Sequence, residues 1–201
     1  MIKSIVVYSF RIYYFINRWI TTKINKLRLK ANSVELGDSV MINGILHIVN
    51  KGKIKIGNGV KINSSLRYNP ISHHPCSFYT SENAVIEIGD KSGLSGCTLY
   101  SVKKIHIGKR VLIGAGVNIY DTDFHSLLVD ERLNGDSNIK SSPVYIYDDC
   151  FIGANVTILK GVTIGAGSVV AACSVVTKNI GENELWAGNP ARYIRDTIYG
   201  E

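Results

Sequence analysis

Six apolar residues stand six apart near the C-terminus: Ile146, Ile152, Ile158, Ile164, Val170 and Val176. A period of six matches neither the helix period nor the two-residue alternation of a strand. It describes a short strand and a turn, repeated at fixed rise. Three such units make one triangular coil of about 18 residues, and hexapeptide repeats of this kind are a signature of the parallel β-helix. Each large apolar residue then stacks on another one coil above.

The rest of each repeat agrees. Gly153 and Gly165 follow the stacked isoleucine and suit tight corners, where bulk or a negative φ would clash. The fifth position carries Cys150, Val156, Val162, Ser168 and Ser174, all small enough for the inside of a narrow prism. Earlier stretches repeat the pattern in Ile107, Ile113 and Ile119, with Gly108 and Gly114 behind the first two. Leu36-Gly37, Ile56-Gly57 and Ile88-Gly89 open further units, with Val40, Val60 and Ser92 at the fifth position. An ordinary sandwich or barrel needs period-two strands with turn signals every 8–12 residues or so, and this pattern is not in the sequence. The expected architecture is all-β: a parallel β-helix of hexapeptide repeats over residues 33–180, an N-terminal α-helix within residues 1–32, and a tail at 181–201. Two loop insertions, 63–84 and 120–143, interrupt the repeats.

Charge separates the helix from the prism. Residues 1–30 hold Lys3, Arg11, Arg18, Lys23, Lys26, Arg28 and Lys30 and no acid. The net charge of +7 belongs to this segment, because the remaining bases and acids balance. A broad nucleic-acid-binding surface is therefore not implied. Residues 4–29 read as a helix with a polar stripe, Ser4, Arg11, Arg18 and Asn25, opposite Val6, Tyr13, Ile20 and Leu27. Arg11 interrupts the apolar run, which argues against a cleaved signal peptide and a membrane span. Two readings stand. The helix packs on the coil end and covers an open sheet edge, or it lies on anionic lipid with Tyr13, Tyr14, Phe15 and Trp19 near the headgroups. The second makes peripheral membrane contact through residues 1–30, at the inner face of the cytoplasmic membrane. Cys76, Cys97, Cys150 and Cys173 have no close paired spacing, so neither a zinc site nor a disulfide framework is indicated. A reducing cytoplasm is the expected compartment.

A regular coil has a shallow, repetitive surface, so its long loops must supply reactive groups. The first loop holds Tyr68, Pro70, His73, His74, Pro75, Phe78 and Tyr79; the second holds Asp121, Asp123, His125, Glu131 and Arg132. His125 is the best candidate for chemistry, flanked by carboxylates on a long excursion. Its side chain suits removal of a proton from an alcohol or amine near neutral pH. His106 reads as an outward position within a repeat. His73 and His74 are adjacent and cannot easily face one metal, so no metal site is expected.

Four segments then carry a resemblance. They are Ile88-Gly89-Asp90 through Leu94-Ser95-Gly96; Asp121-Thr122-Asp123-Phe124-His125-Ser126; Phe151-Ile152-Gly153-Ala154 through Leu159-Lys160-Gly161-Val162-Thr163-Ile164-Gly165; and Val176-Thr177-Lys178 with Ala187-Gly188-Asn189-Pro190-Ala191-Arg192. In these the chain resembles the left-handed β-helix acyltransferases with hexapeptide repeats, above all bacterial O-acetyltransferases of capsule, O-antigen and related polysaccharides. The resemblance, not the spacing, implies the left-handed winding. It also implies an acetyl-CoA co-substrate, a carbohydrate acceptor and a homotrimer with active sites shared between subunits. Residue by residue, it implies His125 as catalytic base and Ala154 as the backbone N–H beside the thioester. Ala172, Thr177 and Lys178 would line the pantetheine arm and phosphates, and Arg192 and Arg195 the nucleotide end. Asp121, Asp123 and Arg132 would orient the imidazole or acceptor, or simply fold the loop. Phe151 stands where many relatives have tryptophan, Cys173 where glycine is common, and Trp186 where a smaller aliphatic residue is frequent.

Rival functions fit less well. A γ-class carbonic anhydrase shares the fold but needs three histidines on adjoining coils, and His106 and His125 lack a third. A nucleotidyltransferase would need a further nucleotide-binding domain. A scaffold protein need not keep His125, Thr177, Lys178 and Arg192 together. The nearest rival is acetylation of a small acceptor: a free sugar, a nucleotide-linked amino sugar or an antibiotic.

Overall fold

A computed structural model describes residues 2–72 and 74–197. His73, residues 198–201 of the tail, and the side chains of Ser4, Val6 and Arg11 lie outside the described residues. Among the described residues, strands form three parallel sheets of six, eight and six members, the eight-stranded one ending in an antiparallel strand. Successive strands step from one sheet to the next, so the chain winds a three-sided prism. Ile146, Ile152 and Ile158 each sit on a different sheet, and Ile164, Val170 and Val176 pair directly above them. The repeat spacing thus fixes the register. Ile56, Ile88, Ile107, Ile146 and Ile164 form one continuous column down the first sheet. All five lie in the core, where close packing makes each lost methylene costly.

The small fifth positions also point inward. Cys150, Val156, Val162, Ser168 and Ser174 are all buried, and the serine hydroxyls donate to Gly181 and Ala171 carbonyls at 2.7 Å. Cys76 and Cys97 are likewise buried, whereas Cys173 is exposed. Burial pushes the Cys150 thiol up to about 11.

The glycine expectation holds for bulk and not for φ. A Cβ on Gly153 would stand 2.6 Å from the Ala172 nitrogen, and one on Gly165 2.5 Å from the Gly181 carbonyl. These glycines let one corner nest on the next. Positive φ falls two residues later, at Asp149, Asn155, Gly161, Gly167 and Cys173. Most corners therefore place an ordinary side chain in the left-handed region that glycine or asparagine tolerates best.

The N-terminal helix α1 spans Ile2–Ala31, and it reverses the expected orientation. Asn25, from the polar stripe, is buried against the coil, while Ile20 and Leu27, from the apolar stripe, are exposed. The cause lies at the coil end, whose backbone groups need hydrogen-bond partners. The Asn25 amide donates to the Gly44 carbonyl at 2.8 Å, and its oxygen accepts the Leu46 N–H at 3.1 Å.

The first excursion is shorter than the 63–84 expected. Ser77–Thr80 is a coil strand pairing with His47–Asn50 and Thr98–Ser101. Phe78 is the inward residue there, stacked between Ile48 and Leu99, so a residue read as part of the loop belongs to the core. The tail is likewise part of the prism. Glu184–Gly188 joins the second sheet beside Val169–Val170, with Trp186 opposite Val170, and Ala191–Asp196 folds back on it.

Candidate active site

The second excursion leaves the third sheet after Tyr120 and returns to the first at Val144. Asp121 anchors its root. The side chain is fully buried and accepts hydrogen bonds from the Ser101 hydroxyl at 2.7 Å and from the Val102 and Lys103 N–H groups at 2.8 Å. Asp123 pairs with Lys160 of the next coil at 2.7 Å, and its N–H donates to the Lys140 carbonyl at 3.0 Å. Thr122 bridges to Ser141. The two limbs are thereby held together at their base.

Phe124 comes next, with a φ of 64°. A left-handed backbone at a bulky residue costs roughly 1–3 kcal/mol and persists only where the surroundings impose it. Its ring packs on Tyr100 and Tyr120, with centroids 4.8 and 5.2 Å away, and Tyr100 stacks on Tyr79 at 4.2 Å. Tyr79, Tyr100 and Tyr120 occupy equivalent outward positions on successive coils. An aromatic wall thus runs up to the residue before His125.

His125 is solvent-exposed, and its Nδ1 is hydrogen-bonded to the Asp136 carboxylate. The other Asp136 oxygen accepts the Ser126 N–H at 2.6 Å. The Ser126 N–H foremost holds the Asp136 carboxyl below its ordinary range; burial opposes it, and the His125 ring adds a lesser lowering. The Ser126 hydroxyl donates to Glu131. Glu131 also accepts from the Asn138 amide at 2.7 Å, the first cause of its lowered pKa, with Ser126 the second. Arg132 donates to the Ser126 carbonyl at 2.7 Å. The short helix α2 (Val129–Leu133) carries Glu131 and Arg132. Gly135 and Asp136, both at positive φ, turn the chain back so that the carboxylate reaches the ring.

The imidazole is therefore oriented by Asp136, a residue outside the sequence candidates. Asp121, Asp123 and Arg132 do not touch the ring and instead fold the loop. The one sequence signal for Asp136 is the Asn134-Gly135-Asp136 turn cluster. His106 sits apart on the first sheet, its Nδ1 3.3 Å from Glu87.

The remaining candidates fall on separate edges of the prism. Ala154 and Ala172 share the corner between the second and third sheets, where the Cys173 N–H donates to the Ala154 carbonyl at 2.9 Å. Among the described residues, no acceptor meets the Ala154 N–H. Thr177 and Lys178 lie at the next corner, the one from which the His125 loop departs two coils earlier. Arg192 and Arg195 are exposed on the C-terminal hairpin. A cavity of about 560 Å³ lies elsewhere, between α1 and the first excursion, lined by Tyr13, Arg18, Ile45, Arg67, Tyr68 and His74.

The family model for bacterial transferase hexapeptide (six repeats) matches residues 143–178. The structure is similar to that of a hexapeptide-repeat acetyltransferase from Vibrio cholerae complexed with acetyl coenzyme A. Identity is 28% and the TM-score 0.55, covering 87% of this chain and 78% of that one. The chain carries the hexapeptide repeats of bacterial transferases over residues 143–178. Its prism is the left-handed parallel β-helix that the resemblance implied. A Bacillus cereus N-acyltransferase, solved as a mutant with dTDP and coenzyme A, aligns at 25% identity with a TM-score of 0.68, covering 85% of this hexapeptide-repeat chain and 88% of that chain. Over 92 residues the chain is 41% identical to the galactoside O-acetyltransferase of Escherichia coli, covering 46% of this chain and 44% of that protein. The chain spans about half the length of the curated relatives it matches.

Proposed function

We propose that this protein is an acetyl-CoA-dependent O-acetyltransferase acting on a sugar hydroxyl of a bacterial surface polysaccharide or its precursor. The observation that carries the proposal is the His125–Asp136 pair. With Nδ1 donating to the carboxylate, the neutral ring presents Nε2 as a proton acceptor, and the ring is open to solvent.

The reaction is direct. His125 takes the proton of the acceptor hydroxyl as its oxygen bonds to the acetyl carbon. The Ala154 N–H donates to the carbonyl oxygen as negative charge develops there; a fixed backbone donor needs no reorganisation. The carbon–sulfur bond breaks, and His125 returns the proton to the leaving thiolate. Lys178, Arg192 and Arg195 provide cations for the phosphates of the coenzyme. Tyr100, Tyr120 and Phe124 wall the acceptor beside His125.

The separation of Ala154 and Ala172 from His125 supports a homotrimer with shared sites. So does the apolar flank of the loop. Leu127, Leu128, Val129 and Leu133 are all more than half exposed beside His125, a surface suited to a neighbouring prism.

The test is acceptor-dependent thiol release from acetyl-CoA. His125→Ala should lower kcat about 10²–10⁴-fold while calorimetry finds coenzyme A binding retained. An unchanged kcat sinks the base assignment. The likeness to galactoside O-acetyltransferase favours a second reading, a small free sugar as acceptor. A panel of simple galactosides and lipid-linked oligosaccharides separates the two.

A further inference from the structure

An amphipathic helix docked on a domain ordinarily buries its apolar face; from Tyr13 onward α1 instead turns Thr21 and Asn25 inward with Leu29 and leaves Ile20 and Leu27 outward. Besides the Asn25 contacts, the Arg28 guanidinium donates to the Leu46 carbonyl at 3.2 Å. Asn50 donates twice to Asn32, its side-chain amide to the Asn32 carbonyl at 2.7 Å and its backbone N–H to the Asn32 side-chain oxygen at 3.0 Å. These polar groups complete the first coil. Thr21, Asn25 and Leu29 are the buried positions of the helix from Tyr13 onward.

The opposite face is left outward. Phe15, Ile16, Trp19, Ile20 and Leu27 are exposed, up to 74% for Phe15 and 70% for Leu27. At 3.6 residues per turn, the exposed Lys23, Lys26 and Lys30 fall among them. The Lys23 ammonium lies over the Trp19 ring at 3.8 Å. No acid precedes Glu35, and Glu35 is engaged by Lys53 at 2.8 Å. Among the described residues, no helix is long and apolar enough to cross a membrane.

We infer that this face rests on an anionic lipid bilayer. Ile16, Trp19, Ile20 and Leu27 enter the headgroup boundary, and Lys23, Lys26 and Lys30 meet lipid phosphates. Apolar and cationic side chains on one face are the composition such a surface takes. A second copy of the chain fits worse, since it would bring lysine against lysine.

Vesicle sedimentation of the full chain tests this. Wild type should sediment with equimolar phosphatidylglycerol–phosphatidylcholine vesicles, less so as salt rises, and weakly with phosphatidylcholine alone. Each lysine near an anionic surface is worth roughly fivefold in partition, so Lys23→Gln/Lys26→Gln/Lys30→Gln should lose on the order of 100-fold. Trp19→Ser should also weaken binding. These residues lie away from the coil, so circular dichroism should remain that of the wild type. Equal sedimentation of wild type and triple variant overturns the inference, as does no sedimentation of wild type. A changed oligomeric state in Trp19→Ser, with lipid binding intact, also overturns it and makes the face a subunit contact.

Discussion

Between Val144 and Val176 the prism buries aliphatic and small side chains in fixed register; between Asp121 and Ser142 the chain buries only Asp121, Thr122 and Ser126. The first region is held by shape. Apolar packing is non-directional and spread over many contacts, so no single partner decides where a residue sits. The second is held by directional hydrogen bonds, each with one partner, and its leucines face outward. The scaffold tolerates chemistry above it because its register does not depend on the loop. The loop aims His125 through a short chain of polar groups, and that accuracy is fragile.

Several substitutions sharpen or break this contrast. Ile152→Ala removes a fully buried stacked residue and should cost about 2–5 kcal/mol in denaturant unfolding, with kcat below the transition unchanged. A matching fall in kcat would mean that loop and prism are not insulated. Asp121→Ala should cost about 3 kcal/mol, because it strips the acceptor from three donors. Hydrogen exchange should rise in residues 121–142 and not in 144–176; uniform loss would show that Asp121 belongs to the scaffold.

Asp136→Asn should leave the unfolding midpoint nearly unmoved and lower kcat on the order of 10²-fold, with the KM for acetyl-CoA unchanged. Asp136→Glu should restore part of kcat, an outcome that a merely structural role would not give. The pH sign follows from the lowered pKa of Asp136. Its contribution to loop order is complete above the ordinary aspartate value of about 3.9 and is lost only as pH falls through the lower folded value. Amide signals of the loop should therefore persist into mild acid in wild type. Smallest of all, Lys160→Ala breaks a partly exposed pair with Asp123 and should cost no more than about 1 kcal/mol.

The same contrast decides what the sequence could say. The stacked column from Ile56 to Ile164, and the buried Cys150 and Ser168, were legible because a fixed period carries the register. Phe78 was missed because its coil breaks that period with an aromatic. The helix itself was legible over residues 4–29. Its facing was not, because periodicity separates two faces without saying which one a partner needs; the open backbone of Gly44 and Leu46 selected the polar one. His125 stood out by residue type. Asp136 lies 11 residues on, across a loop with no period, and only the folded turn at Gly135 brings it back.

The cysteines offer an internal clock. Cys173 stands exposed at the corner beside Ala172, while Cys76, Cys97 and Cys150 are sealed within the prism. A maleimide should consume one thiol in the native chain and the other three only as coils open. Fast uptake then tests whether coenzyme A occupies the groove proposed for it, through any protection of Cys173. Slow uptake, resolved by peptide mapping, separates the opening of the coils that hold Cys76 and Cys97 from the opening of the coil that holds Cys150. One reagent thus times both ends of the scaffold without any engineered label.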